Sequence, residues 1–191
     1  MAKFFGNIHL VLLVGLLLAI AVIYGVGPNA DALQAALRWL HLFFGITWIG
    51  LLYYFNFVQI PTMPSIPAEL KPGVSKHIAP AALFYFRWAA LFTVLTGAAV
   101  ALTTGGWPGY LVEALKLDPA YRLIGIGMWL ALIMAANVWF VIWPNQKKAL
   151  GIVPAEDAAK AKAASVAMMA SRTNTLLSLA MLYCMVNFNG G

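Results

Sequence analysis

Two ionisable side chains, Arg38 and His41, stand three positions apart at the start of a long apolar run, "RWLHLFFGITWIG", residues 38–50. Histidine is the usual axial ligand of heme held noncovalently in a helical bundle. Arginine pairs well with carboxylates, such as the propionates of heme. These residue types at this spacing indicate a cofactor site as one chemistry open to this stretch.

The chain has three histidines, and their predicted depths decide which of them can act together. His41 falls in the outer half of a predicted helix, whereas His9 and His77 fall near the inner ends of two others. Heme b could be held by His41, or by His9 with His77, and these three are the candidate iron ligands. The alternatives are that His41 only hydrogen-bonds a neighbouring helix while the other two lie at an aqueous interface, or that a histidine transfers protons.

Arg87, in "FYFRWAALF", is a further cation among apolar residues. It lies about seven residues into a predicted helix, too deep for snorkelling alone to satisfy it. The predicted spans contain no acidic residue, so its acceptor must be a backbone carbonyl, an Asn or Tyr oxygen, a bound anion, a lipid phosphate or a cofactor carboxylate. Together with Arg38 it could neutralise heme propionates.

The elements that must position these residues follow from the composition. Hydrophobic residues make up 63% of the 191 positions and charged residues only 9%, which indicates an integral membrane protein. The formal charge of +6 is scattered over helix ends and does not form a basic patch with interleaved aromatics, so nucleic acid is not a predicted partner. The predicted partner is the lipid bilayer.

We predict an all-α fold, a single transmembrane domain over residues 1–191 with five membrane-spanning helices. A proline-rich loop separates the second span from the third, a short amphipathic piece near residues 111–117 precedes the fourth, and a cytoplasmic amphipathic helix leads into the fifth. The predicted spans are about 9–26, 33–60, 81–104, 120–143 and 173–188.

Lysine and arginine predict the orientation. Lys3, the proline loop and the segment before helix five carry most of the basic residues, whereas the opposite loops are nearly neutral. By the positive-inside rule the N-terminus is cytoplasmic and the C-terminus periplasmic, in a bacterial inner membrane.

Polar residues recur on one face of two predicted spans. On helix two the face at 100° per residue contains Arg38, His41, Gly45, Trp48, Leu52, Asn56 and Gln59. On helix four it contains Arg122, Gly125, Trp129, Ile133, Ala136, Asn137 and Phe140. Because polar groups facing lipid are costly, we expect both faces to point inward and to meet. The candidate cofactor-binding residues are His41, Arg38, His77, His9, Arg87, Trp48 and Asn137.

Other chemistries lack their residues. The single cysteine, Cys184, excludes a disulfide framework, a CxxC redox pair and covalent c-type heme. Phosphate-binding, serine-hydrolase and HExxH metalloprotease motifs are absent. No catalytic residue is predicted.

The segments "RWLHLFFGITWIGLLYYFN", "NVWFVIWPNQKK" and "SRTNTLLSLAMLY" together resemble the membrane domain of the bacterial urate hydroxylases, the urate oxidase N-terminal domain family. The resemblance implies a membrane-embedded oxidoreductase that passes electrons to a cytochrome c domain, which this chain does not contain. The family-like positions are Arg38, Trp39, His41, Trp48, Gly50, Asn137, Pro144, Asn145, Gln146, Arg172 and Asn174.

Two hypotheses follow. In the first, the chain is a redox or heme-binding subunit that passes electrons to an unidentified partner. In the second, it is a noncatalytic accessory or scaffolding protein that docks other membrane subunits or forms a homo-oligomer. A third possibility is that Arg38, Asn56, Arg122 and Asn137 grip a flat anion such as urate.

Overall fold

A computed structural model describes residues 2–25 and 32–188. Within these two ranges the chain consists of helices and connecting turns, and no strand occurs, which confirms the all-α prediction. Four helices are long and apolar enough to cross a bilayer: α1, Ile8–Gly25; α2, Ala32–Ser65; α3, Lys71–Thr103; and α4, Arg122–Ala149. A fifth helix, α5, runs over Asp157–Asn187 but is less apolar.

The first helix stands apart from the rest. After a short turn of helix at Ala2–Phe5, α1 has no buried residue along its 18 positions. The segment predicted to connect it to α2, and Val26 at the predicted end of span one, lie outside the described residues.

The proline-rich loop predicted for residues 61–80 is mostly helical, so that prediction is wrong. Helix α2 continues through Pro61 to Ser65, and α3 begins at Lys71. Helix α4 likewise continues through Pro144 to Ala149, beyond the predicted end of span four. A proline inside a helix lacks an N–H donor, and its ring clashes with the carbonyl four residues earlier, so the chain must adjust at each of these positions.

The adjustment is a wide, π-helical turn before each proline. The three π turns are Tyr54–Gln59, Val74–Ile78 and Val138–Ile142, and each ends two residues before a proline: Pro61, Pro80 and Pro144. The residue before each proline donates to the carbonyl five residues back, as Ile60 does to Phe55. The wider turn accommodates the ring and keeps the helix continuous.

The connection between α3 and α4 packs on the end of the bundle. It contains a short helix, Leu111–Leu115, whose Ala114 is buried. Gly125 of α4 is required here, because a Cβ would collide with the carbonyl oxygen of Ala114. Helix α4 begins at Arg122, two residues later than predicted, after Asp118 accepts a hydrogen bond from the Ala120 amide at 3.0 Å.

Helices α2, α3, α4 and α5 share one apolar core. Its largest fully buried side chains include Trp48, Leu52, Phe86 and Met134. Because lipid tails are as apolar as these side chains, the core stabilises the bundle through close van der Waals packing. Helix α2 packs mainly along α3, and α5 packs along α4.

The predicted inward face of helix four is only partly correct. Gly125 and Asn137 do point inward, but Trp129, Ile133 and Phe140 are exposed, Phe140 by 79%. The buried face also carries Gly127, where a Cβ would lie only 2.8 Å from Cβ of Cys184. Small residues face α5 because they let the two helices approach closely, and the bulky apolar side chains face outward.

Helix α5 buries a polar stripe. Ser171, Asn174 and Ser178 are all buried, at intervals of three and four residues. Its outward face carries exposed apolar side chains such as Leu176 and Val186. The polar residues of α5 lower its average hydropathy, although several of them face protein. Composition therefore does not confirm the predicted count of five spans.

Candidate functional site: an amide-lined cavity

A chain of polar contacts runs through the centre of the bundle, and we call it the polar spine. Asn137 of α4 donates to Oδ1 of Asn174 at 2.7 Å and to the carbonyl of Ala170 at 2.9 Å. Asn174 donates in return to the carbonyl of Met134 at 3.0 Å. Asn137, predicted as a cofactor residue, instead holds α4 against α5.

The spine continues to α2. Tyr53 and Ser178 are joined by a 2.9 Å hydrogen bond between hydroxyls, in which Tyr53 donates because Ser178 donates to the carbonyl of Thr175. Asn56 donates to Oγ of Ser171 at 2.8 Å and to the carbonyl of Leu52 at 2.9 Å. The polar face predicted on helix two does point inward at Asn56, toward α5.

Beside this spine lies a cavity of ≈ 290 Å³ at one end of the bundle. Its walls come from α2, α3, α4 and α5, and they are apolar except for a few neutral polar side chains. The polar lining residues are Gln59, Ser75, Gln146 and Ser171. A concave, mostly apolar site with a few convergent polar groups is the usual form of a small-molecule site.

All three π turns border this cavity. Phe55 and Gln59 come from the first, Val74 and Ser75 from the second, and Ile142 from the third. A wide turn pushes side chains out of helical register, and π turns are frequent at functional sites. Three widened turns at one level keep α2, α3 and α4 from closing on one another.

Two amide oxygens at this level are buried without a hydrogen-bond partner. They are Oε1 of Gln59, which lines the cavity, and Oδ1 of Asn56, which lies behind Ser171. The orientation of Asn56 is fixed, because its Nδ2 donates to a carbonyl that can only accept. A buried acceptor without a partner costs roughly 1–3 kcal/mol, so these oxygens are ready to receive an N–H or O–H donor.

The cavity itself contains no charged side chain, but basic residues surround its end of the bundle. We call this end the basic end; it carries Lys71, Lys76, Lys147, Lys148, Lys160 and Lys162. The one ion pair among the described side chains joins Lys160 to Asp157. Glu69, Glu156 and Asp157 lie at the same end, but the six lysines outnumber these three carboxylates, and the excess positive charge attracts anions toward the cavity.

His41 lies in the opposite half of the bundle, in a tight contact with α3. Its Nδ1 donates to the carbonyl of Thr93 at 2.9 Å, and its ring fills the space that Gly97 leaves. A Cβ at Gly97 would lie 2.8 Å from Cε1 of His41. Because Nδ1 carries the proton, Nε2 is left with a free lone pair.

The polar residues around His41 differ in their surroundings. Buried Gln34 receives a hydrogen bond from Thr103 at 2.6 Å and donates to Thr104. Arg38 is exposed, so the polar face predicted on helix two does not stay buried from end to end. Trp48 is fully buried, and its indole N–H has no partner.

The other two histidines do not join His41. His9 and His77 are both exposed, in α1 and in the second π turn. The described residues contain no group of three or more His, Cys, Asp or Glu side chains placed to hold a metal ion. For heme, the described histidines offer no second axial ligand beside His41, whose ring is packed against Gly97.

The charge of Arg87 is compensated by aromatic rings, which the sequence did not suggest. Its guanidinium lies 3.9 Å from the centre of the Trp143 ring and 5.2 Å from that of Phe84. The Trp139 indole donates to the Arg87 carbonyl at 3.1 Å. The face of Trp143, on α4, supplies part of the compensation that a carboxylate would give in water.

The cavity residues were missed as a set in the sequence. Gln59 was predicted to face inward and Gln146 was a family-like position, but Ser75 fell in the predicted proline-rich loop, and no cavity shared by the three was predicted. The signal was present at Pro61 and Pro144, each of which follows apolar helical sequence. If the prolines are interpreted as interruptions within continuous helices, Gln59, Ser75 and Gln146 are predicted to lie in helices near the same end of the bundle.

Fold and site together define the class: an all-α, multi-span, membrane-type bundle with a small polar cavity at its basic end. The family described as "Urate oxidase N-terminal" matches residues 111–189, which confirms the resemblance for this part of the chain. The match covers α4, α5 and the connection before them, and includes Gln146, Ser171 and the Asn137–Asn174 pair. It does not extend to α2. No curated protein and no solved structure matches the chain significantly.

Proposed function

We propose that the chain is the ligand-binding membrane domain of a redox system of the urate-oxidising type, and that a flat, nitrogen-rich heterocycle of the urate class binds in the cavity at the basic end. The observation that carries this proposal is the unpartnered Oε1 of Gln59 in the cavity wall. Urate presents ring N–H donors at its edge, which an amide oxygen accepts.

Size and charge support the same class of ligand. A cavity of ≈ 290 Å³ falls at the lower end of the usual range for ligand pockets and suits a molecule smaller than most drugs. Urate is an anion near neutral pH, and the lysines of the basic end would concentrate it near the opening. The four residues predicted from the sequence to grip a flat anion, Arg38, Asn56, Arg122 and Asn137, do not come together. Arg38 and Arg122 are exposed at the end of the bundle opposite the basic end.

The membrane arrangement belongs to the same proposal. We propose that α5 is a fifth span, with its polar stripe facing protein and Leu176, Leu179 and Val186 facing lipid. The positive-inside rule then places the basic end, and the cavity, on the cytoplasmic side of a bacterial inner membrane. The electrons of urate oxidation would leave through a partner protein.

Heme b at His41 is a second candidate, favoured by one observation. The bond from Nδ1 to the Thr93 carbonyl fixes the tautomer and leaves Nε2 available, as second-shell partners do for metal-ligating histidines. A bound heme would supply one-electron transfer. The visible spectrum of gently purified protein tests this: a Soret band lost in His41→Ala supports it, and a featureless spectrum removes it.

Urate binding tests the main proposal. Equilibrium binding of labelled urate to the protein in nanodiscs should be saturable and weakened about tenfold by Gln59→Leu, the loss of roughly one hydrogen bond. Gln34→Leu is the matched control, since Gln34 is a buried glutamine on the same helix but at the other end. Equal affinity in both variants, or no saturable binding, would reject the cavity as the urate site.

A further inference from the structure

The guanidinium of Arg87 has far fewer acceptors than donors. Guanidinium carries five N–H donors. Among the described residues Arg87 makes one side-chain hydrogen bond, from Nη1 to the carbonyl of Leu83, at the long distance of 3.5 Å. The aromatic faces of Trp143 and Phe84 attract its charge but accept no in-plane hydrogen bond. Most of its N–H groups remain free to bind an anion.

A second cation shares the same indole. Nζ of Lys147 lies 5.7 Å from the centre of the Trp143 ring, one helical turn further along α4. Neither Arg87 nor Lys147 takes part in an ion pair. Two positive groups on one aromatic residue, without a carboxylate, form a site for a ligand of negative charge.

The distribution of charged residues along the chain indicates the depth at which Arg87 and Lys147 lie relative to a bilayer. No charged residue occurs over positions 88–112 of the chain, over 123–146, or over 173–188. Arg87, Lys147 and Arg172 therefore stand at the starts or ends of charge-free stretches, where the hydrocarbon of a bilayer would meet its headgroups. Trp143 is placed where interfacial tryptophans are found.

The surface beyond the pair is apolar. Phe84, Trp88 and Phe140 are exposed on α3 and α4, and Phe84 and Trp88 contact each other with ring centres 6.4 Å apart. Trp88 and Phe140 lie within the charge-free stretches, so an anion bound at Arg87 would have an aromatic, lipid-facing wall on that side. A ligand that is charged at one end and hydrocarbon at the other fits this surface.

We propose that Arg87, Lys147 and Trp143 bind the phosphodiester of an anionic phospholipid, with the acyl chains along Trp88 and Phe140. The site is separate from the cavity and does not depend on the proposed function. Arginine offers the planar, multidentate donor set that phosphate requires, and basic pockets between membrane helices are known to select anionic lipid headgroups. Lysine adds a point charge on the same phosphate.

Native mass spectrometry of the protein released from mixed micelles tests the proposal. We expect retention of phosphatidylglycerol over phosphatidylcholine, and a loss of this preference of about fivefold in Arg87→Gln, as for one cation removed from a headgroup. Arg172→Gln is the control, because Arg172 is exposed at a similar level on α5. Lys147→Gln should weaken retention less and supplies a second variant if Arg87→Gln does not fold.

Two further results separate the sources of phosphate. Competition by glycerol 1-phosphate without any preference for phosphatidylglycerol would show a site for a soluble phosphate and overturn the lipid assignment. Equal loss of the preference in Arg172→Gln and Arg87→Gln would show a general surface charge effect and would also overturn it. Retention that survives Arg87→Lys but not Arg87→Gln supports it.

Discussion

The two halves of the bundle treat their buried polar groups differently. In the half that contains His41, Gln34 and His41 each have hydrogen-bond partners on α3, and the helices touch at Gly97. In the half at the basic end, a cavity lies between the helices, and residues of all three π turns line it. There the amide oxygens of Gln59 and Asn56 have no partner.

The contrast separates residues that hold the bundle together from residues that await a ligand. A histidine in a membrane span attracts attention because such residues are often functional. Here His41 fills a notch and bonds a carbonyl, which is sufficient to explain its burial. The amides of the basic end lack this explanation, and for this reason they are the better candidates for binding.

The largest effect should come from breaking the polar spine that joins both halves. Asn174→Leu removes an acceptor of Asn137 and the buried donor to the carbonyl of Met134, so we expect the free energy of unfolding to fall by about 3 kcal/mol. Thermal or denaturant unfolding in detergent measures this. Asn145→Ala is the control, because its amide bonds only the carbonyl of Val141 in its own helix. Equal stability of both variants would contradict a central role for the spine.

The next effect tests the close packing of the half around His41. Gly97→Ala places a Cβ against the His41 ring and must displace it from Thr93, at a cost of about 1–3 kcal/mol. Gly50→Ala, on α2, meets nothing within 4 Å and should be neutral or slightly stabilising. The same unfolding assay compares the two. A Gly97→Ala protein as stable as wild type would mean that this half is not tightly packed.

Substitution of one glutamine in each half compares the two halves directly, and we expect smaller changes in stability, of different size or sign. Gln34→Leu removes the hydrogen bonds that Gln34 makes with the hydroxyls of Thr103 and Thr104 and should cost about 1–2 kcal/mol. Gln59→Leu removes a buried acceptor that has no partner, so stability should change by less than about 0.5 kcal/mol or should rise. If Gln59→Leu proved as destabilising as Gln34→Leu, its oxygen would have a structural partner.

The smallest expected effect concerns the π turns. Pro144→Ala restores the missing N–H and removes the steric reason for the turn at Val138–Ile142, which should narrow the cavity with little change in overall stability. Urate affinity is the sensitive measurement, and we expect it to fall. Pro119→Ala, in the connection at the other end, should leave it unchanged.

Much of the fold follows from the sequence, because apolar length is a strong signal. The all-α class, the membrane-type helices and the inward position of His41, Trp48 and Asn56 were all predicted correctly. Arg38 and the face around Trp129 were predicted to be buried and are exposed. The periodicity of helix four was misread because its interior contact uses Gly127 and small residues, which carry no polar signal.

The cavity was harder to predict, for a physical reason. A proline in a single sequence stops a helix in most proteins, whereas here each proline follows a turn that absorbs it. Whether a helix ends or widens depends on what packs against it, which only the assembled bundle contains. The role of Trp143 in compensating the charge of Arg87 likewise depends on the pairing of α3 with α4.

Protection of a cavity cysteine by urate tests the central claim most directly. Cys184 is buried, so a cysteine introduced at Ala164, which lines the cavity and is exposed, can be alkylated selectively. Ala120→Cys, exposed at the other end, is the control. We predict that saturating urate slows alkylation at position 164 severalfold and leaves position 120 unchanged. Equal rates with and without urate at both positions would contradict the assignment of the cavity as the ligand site.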